Sequence, residues 1–172
     1  MRIFSVLSVA LLSTFLLDNT TAHGGGASDG LSNMQITIAA IVLCATSYFA
    51  IPKFLGSDKR RGKNVIYAAV VYTGAVHIML GLDDVVFMLG GIGIIGFGFA
   101  PLVLKFAKNN EKIFQLGLSF NALIMFIAYF VSNHDLHYLL EDYLGLTTKV
   151  SEIVIMALVV RQLRGNQSNL QR

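Results

Sequence analysis

Five apolar runs, each close to 20 residues and separated by short polar connections, dominate the chain and leave few folds open to it. They cover residues 34–55, 64–82, 85–104, 113–132 and, more weakly, 144–160, where Lys149 and Glu152 interrupt the run. A helix rises 1.5 Å per residue, so about 20 apolar residues span the ~30 Å hydrocarbon core of a bilayer. Strict apolar/polar alternation is missing, which argues against a membrane β-barrel. Only 13% of residues are charged, against roughly a quarter in a soluble domain. The expected fold is therefore all-α: a polytopic transmembrane helix bundle over residues 34–160.

The chain begins "MRIFSVLSVALLSTFLLDNTTAHGGG". Arg2, a short apolar run over 3–17 and small residues at Thr20 and Ala22 follow the layout of a secretory signal peptide. The run is short for a span. Cleavage after Ala22 is expected, giving a signal peptide over 1–22, a Gly-rich tether over 23–33 and five spans. An uncleaved first helix would make six. A tail over 161–172 completes the chain.

The basic residues are placed unevenly. Lys53, Lys59, Arg60, Arg61 and Lys63 lie between the first two runs, Lys105, Lys108 and Lys112 between the third and fourth, and Arg161, Arg164 and Arg172 after the fifth. If the spans alternate, all of these fall on one side, and short basic loops stay cytoplasmic. Insertion in the plasma membrane with the mature N-terminus outside and the C-terminus inside is the expected orientation. The net charge of +3 gives no support to nucleic-acid binding. The single cysteine, Cys44, excludes an intramolecular disulfide and reads as a small buried hydrophobe.

With that sidedness, all four histidines gather toward the outer side, together with Asp83, Asp84, Asp135, Glu141 and Asp142. Histidine and carboxylate are the usual ligands of Zn, Ni, Cu or Fe in sites without cysteine. His77 sits inside the second run, where an ionisable group is costly and faces the bundle interior or a wet cavity. On a helix continuing past it, Asp84 at i+7 shares its face. His77, Asp84 and Asp83 are thus candidate ligands of a cation; the alternative is a hydrogen-bonded histidine beside a tight turn capped by the two aspartates. In "SNHDLHYLLEDYLGL", Ser132 and Asp135 resemble a capping box. The helix so begun puts His134, His137 and Glu141 on one stripe, suited to a divalent metal or to an ordinary solvated face at the membrane surface. His23, if the signal is cut, offers a terminal amine and an imidazole to Cu or Ni. "GIGIIG" over 91–96 fits a dinucleotide fingerprint in letters only; inside a span, its glycines are expected to serve close helix packing. The Asn166 "NQS" triplet falls on the expected cytoplasmic side, away from glycosylation.

The stretch Gly74-x-x-His77-Ile78-x-x-Gly81-x-Asp83-Asp84-x-x-Phe87-x-Leu89 resembles the signature of the HupE/UreJ family of small membrane proteins. That signature usually reads GxxH(I/P)xxGxDHxxFxL. The resemblance spans about 16 residues, and Asp84 stands where the family has histidine. It implies a bundle of five or six helices with His77 and Asp83 in the binding or permeation site, and nickel or cobalt uptake as the activity. A mature N-terminal histidine, here His23, is a further family trait.

Three functions follow as expectations. The first is an integral membrane permease or metal-handling protein for Ni, Co, Cu or Zn, needing no organic cofactor. The second is a non-catalytic subunit of a larger membrane complex, such as a copper-dependent monooxygenase or a respiratory complex. The third, a membrane-embedded hydrolase using His77, Asp84 and a metal-bound water, lacks a nucleophile motif. Membrane lipid is the expected surrounding, with other membrane subunits or further copies of the chain as protein partners.

Overall fold

The structure, a computed structural model, describes residues 31–55, 61–82, 84–132 and 142–168. Every element among them is helical: α1 (Asn33–Leu55), α2 (Arg61–Leu80), α3 (Val85–Val103), α4 (Lys105–Asn109), α5 (Glu111–Ser132) and α6 (Tyr143–Ser168). The all-α membrane bundle expected from the apolar runs is what forms. α1, α3, α5 and α6 are each long and apolar enough to cross a membrane, whereas the apolar part of α2 is shorter, Asn64–Leu80.

α2 also differs in its packing. α2 packs against α1, α3 and α6, and α5 joins α3 to α6. Helices α2, α3, α5 and α6 thereby close a ring of four, with α1 lying outside against α2. Successive contacts run antiparallel around it. Gly81 faces Met88 and Gly98 faces Val70 between α2 and α3, while Gly90 faces Met125 and Gly117 faces Phe97 between α3 and α5. Being surrounded by protein, α2 buries most of one turn after another, from Ile66 through His77. It can therefore carry Thr73 and His77, which a lipid-facing helix could not. The lipid-facing helices instead expose large apolar side chains, among them Phe49, Val86, Phe120 and Ile127. On a water-facing surface so much contiguous apolar area would be unusual; in hydrocarbon it costs nothing.

Small residues set the closest approach. Between α2 and α3, a Cβ added at Gly91 would lie 2.7 Å from the Gly74 carbonyl oxygen, so only glycine lets the two backbones meet there. Gly93 is likewise closed off by the Asn121 amide of α5, which donates to the Gly90 carbonyl at 3.1 Å. Two of the three glycines of "GIGIIG" thus serve helix packing, as expected. Gly96 meets nothing within 4 Å.

The ring interior is layered. Near its middle Val70, Ile94, Leu118, Ala122, Ile155 and Val159 form a closed apolar layer. On one side of it, toward the start of α5 and the end of α6, is a small cavity of about 30 Å³ that Glu111, Gln115 and Gln162 help to line. On the other side, toward Leu80 and Asp142, is a larger cavity of about 280 Å³. A second apolar cluster, built on Ile36, Ala40, Ala75, Val76 and Leu144, seats α1 against the ring.

Gly91→Ala should therefore lower stability by about 1–3 kcal/mol through forced separation of α2 and α3, and Gly96→Ala should be neutral or gain up to ~1 kcal/mol of helix propensity. Thermal unfolding of the two variants in detergent checks this, and the reverse order would contradict the pairing of α2 with α3.

Candidate functional site

α2 and α6 meet along a polar seam. Tyr72 and Thr147 share a hydrogen bond of 2.9 Å, and Thr73 Oγ1 donates to Ser151 Oγ at 2.8 Å. Ser151 in turn donates to the Ala69 carbonyl. One turn further along, the seam reaches three ionisable side chains. His77, Lys149 and Glu152 are 2%, 4% and 0% exposed. Burial that complete, in a helix bundle immersed in lipid, is tolerated only with partners at hand.

Each group has them. Lys149 and Glu152 stand at i and i+3 on α6, so they share a face. The Lys149 ammonium donates to Glu152 Oε1 at 2.7 Å, to Oε2 at 2.8 Å and to the Met125 carbonyl of α5 at 3.0 Å. Those three bonds use all three of its hydrogens. The pair is neutral as a whole, and through Met125 it also fastens α6 to α5.

His77 approaches from α2. Its Nδ1 lies 2.9 Å from the Thr73 carbonyl. A carbonyl only accepts, so Nδ1 carries the hydrogen and the neutral ring keeps its lone pair on Nε2. That nitrogen points to Glu152 Oε1 across 3.5 Å, longer than a sound hydrogen bond. Two donor atoms on one tetrahedral ion, with bonds of about 2.1 Å, stand about 3.4 Å apart. A ring nitrogen tied to a backbone carbonyl while its partner nitrogen stays free is also how metal-binding histidines are oriented. The arrangement can thus take a proton or a cation between nitrogen and carboxylate.

The larger cavity lies over this cluster. Asn33, His77, Leu80, Phe87, Tyr129, Asp142, Leu144, Gly145, Thr148 and Lys149 line it. Phe87 of α3 covers the imidazole, with ring centroids 5.9 Å apart. Asp142 is the N-cap of α6: its Oδ1 accepts from the Gly145 N–H at 2.8 Å, satisfying a free end of the helix. Its Oδ2 accepts from the Tyr129 hydroxyl at 2.9 Å, and the Lys149 ammonium stands 5.1 Å from the centre of the Tyr129 ring. Two carboxylates, Glu152 below and Asp142 above, are therefore bridged by one lysine and one tyrosine.

The residues expected from sequence fare differently. His77 is buried at the centre of the site. Asp84 does not share its face, because α2 ends at Leu80 and the chain turns through Gly81 and Leu82. Asp84 instead caps α3, accepting from the Val86 N–H at 2.8 Å, and is exposed. This corrects the expectation that Asp84 shares the face of His77, which rested on an uninterrupted helix. Asp83, His134, His137, Glu141 and His23 lie outside the described residues. Ser132 closes α5 and Tyr143 opens α6, so of the expected surface helix only its flanks are described. Among the described residues, no three His, Cys, Asp or Glu side chains converge as a metal-holding group.

Lys149 and Glu152 are the residues that sequence reasoning passed over, as interruptions that weaken the fifth run. Their signal was present: opposite charges at i, i+3 within an apolar helix neutralise each other on one face. The chain matches no protein-family model, no curated protein and no solved structure.

Breaking the pair should be costly, since it leaves one buried charge alone. Lys149→Met and Glu152→Gln are each expected to lose about 3–5 kcal/mol. The double variant should recover most of that loss, as coupled sites do. Equilibrium unfolding of the four proteins in mixed micelles measures the coupling; additive losses would mean that the two side chains do not depend on one another.

Proposed function

We propose that the protein is an integral membrane permease for a divalent transition-metal cation of the Ni, Co, Cu or Zn type, and that the cavity above His77 and Glu152 is where the ion is first held. The single observation that carries this reading is the 3.5 Å gap between His77 Nε2 and Glu152 Oε1, next to a cavity of about 280 Å³ that His77 and Lys149 line. A buried intramembrane histidine and carboxylate mark ion or proton pathways more often than scaffolding. The HupE/UreJ-like signature around His77 points to the same class of cargo. The lysines and arginines at the opposite end of the bundle turn the cavity toward the exterior of the plasma membrane.

Two donors are few for a resident ion and suit one in passage. A conducted ion must bind well enough to enter and weakly enough to leave. His77 supplies a fixed lone pair and Glu152 supplies charge. The apolar layer of Val70, Ile94 and Ile155 beneath them holds the pathway shut in this state, separating the larger cavity from the smaller one beside Gln115 and Gln162. Passage then requires the α2–α6 seam to open at that layer. By sequence, Asp83 follows α2 and His134, His137 and Glu141 fall between α5 and α6, the two connections expected on the outer side; in this reading they, and His23 once the signal is cut, supply the further donors.

Uptake decides the matter. Cells or proteoliposomes carrying the wild-type chain should accumulate Ni²⁺ or Co²⁺ faster than controls, and His77→Ala or Glu152→Gln should reduce the rate by roughly 10- to 100-fold, the scale of losing a metal-orienting group. Equal accumulation with and without the protein, together with its co-purification in fixed ratio with other membrane chains, would replace the permease by the subunit role.

A further inference from the structure

Resting on the permease reading above, we propose that Lys149 is a tethered stand-in for the transported cation. Its ammonium neutralises Glu152 while the site is empty, and an arriving ion displaces it toward Asp142.

The geometry gives Lys149 two carboxylates to choose between. In the structure it holds both oxygens of Glu152, and one of those oxygens is the atom that faces His77 Nε2. A cation bound between His77 and Glu152 must take that oxygen away from the ammonium. Left where it is, the lysine would then face a second positive charge at close range inside a low-dielectric bundle, which is strongly unfavourable. It has somewhere to go. Lys149, Tyr129 and Asp142 line one continuous cavity. The ammonium already lies within cation–π range of the Tyr129 ring. The hydroxyl of that ring is bonded to Asp142, whose carboxylate accepts, among the described residues, from two neutral donors, Tyr129 and the Gly145 amide. A flexible four-carbon stem rooted one turn below Gly145 can make that swing without moving the helix.

The consequence is an exchange of partners. With the site empty, the ammonium replaces the ion, so Glu152 is never left bare in hydrocarbon. With an ion bound, the ammonium compensates Asp142. Lys149 also lowers affinity, because it competes for the ligand and adds positive charge nearby. It therefore acts as a positioning residue that keeps capture reversible, and it does not itself touch the ion.

The test is isothermal titration of detergent-purified full-length protein with NiCl₂ and CoCl₂, comparing wild type, Lys149→Arg, Lys149→Met and Asp142→Asn. Lys149→Arg keeps the charge but grips both carboxylate oxygens in a fixed fork. It should weaken binding about tenfold, a usual size for coupling between two ligands of one protein. Lys149→Met should tighten it by a similar factor. Asp142→Asn removes the refuge and should weaken binding while Lys149 is present, and should have no such effect in a Lys149→Met background. Should Lys149→Met fail to fold, Lys149→Arg and Asp142→Asn decide by themselves. Unchanged Kd in both, with the wild type binding metal, would overturn the exchange and leave the permease standing. A wild type that binds neither ion would overturn both.

Discussion

A lysine and a glutamate that neutralise each other inside the helix bundle are the constraint on which the rest of the structure depends. Neither could be left alone in hydrocarbon, and the two satisfy each other only because they sit one turn apart on α6. Their remaining valences then dictate the neighbours. The third ammonium hydrogen needs a carbonyl, which α5 supplies at Met125. The outer side of the carboxylate faces α2, and His77 meets it there. Three of the four ring helices are thereby held in register by one cluster. Glycine contacts bring α3 close to α2 and α5 without any such chemistry.

The division of labour between helices follows from this. α2 has the shorter apolar part, since it opens on Arg61, Gly62 and Lys63, and it packs against three other helices. That shelter is what allows Thr73 and His77 to be polar, and their polarity in turn builds the seam with α6. Packing and chemistry are thus one arrangement. The buried groups stabilise the register of the ring, and two of them, His77 and Lys149, line the cavity of about 280 Å³ beside it. A cluster that binds helices together while leaving a histidine lone pair facing a carboxylate is a poor candidate for pure scaffolding, since a fully apolar seam would serve that end at least as well.

Most of the architecture is legible in the sequence. The runs at 34–55, 85–104 and 113–132 correspond to α1, α3 and α5 within two residues at each end, because long apolar stretches have few ways to satisfy their backbones in a membrane. The weak last run was underestimated. α6 continues to Ser168, since its charges are hidden at its inner face or placed at its end. Of the site, His77 was legible from its depth in an apolar run. Glu152 and Lys149 were not, because sequence spacing shows that two charges share a face but not that a histidine 75 residues earlier is opposite them. Asp84 misled for a local reason: i+7 counts as one face only while the helix continues, and Gly81 lets this chain turn first. There a Cβ would collide with the backbone of Met88.

The central claim is that α2 and α6 lie antiparallel in the one register that sets His77 against Glu152. Disulfide trapping measures it most directly, with Cys44 first replaced by serine. The Thr73 and Ser151 hydroxyl oxygens stand 2.8 Å apart across the seam, so cysteines at the two positions bring their sulfurs face to face. Thr73→Cys paired with Ser151→Cys should cross-link rapidly and almost completely in membranes, whereas Thr73→Cys with Ile153→Cys, on the exposed face of α6, should not. Ready cross-linking to position 153 with none to 151 would place a different face of α6 against α2 and contradict the account.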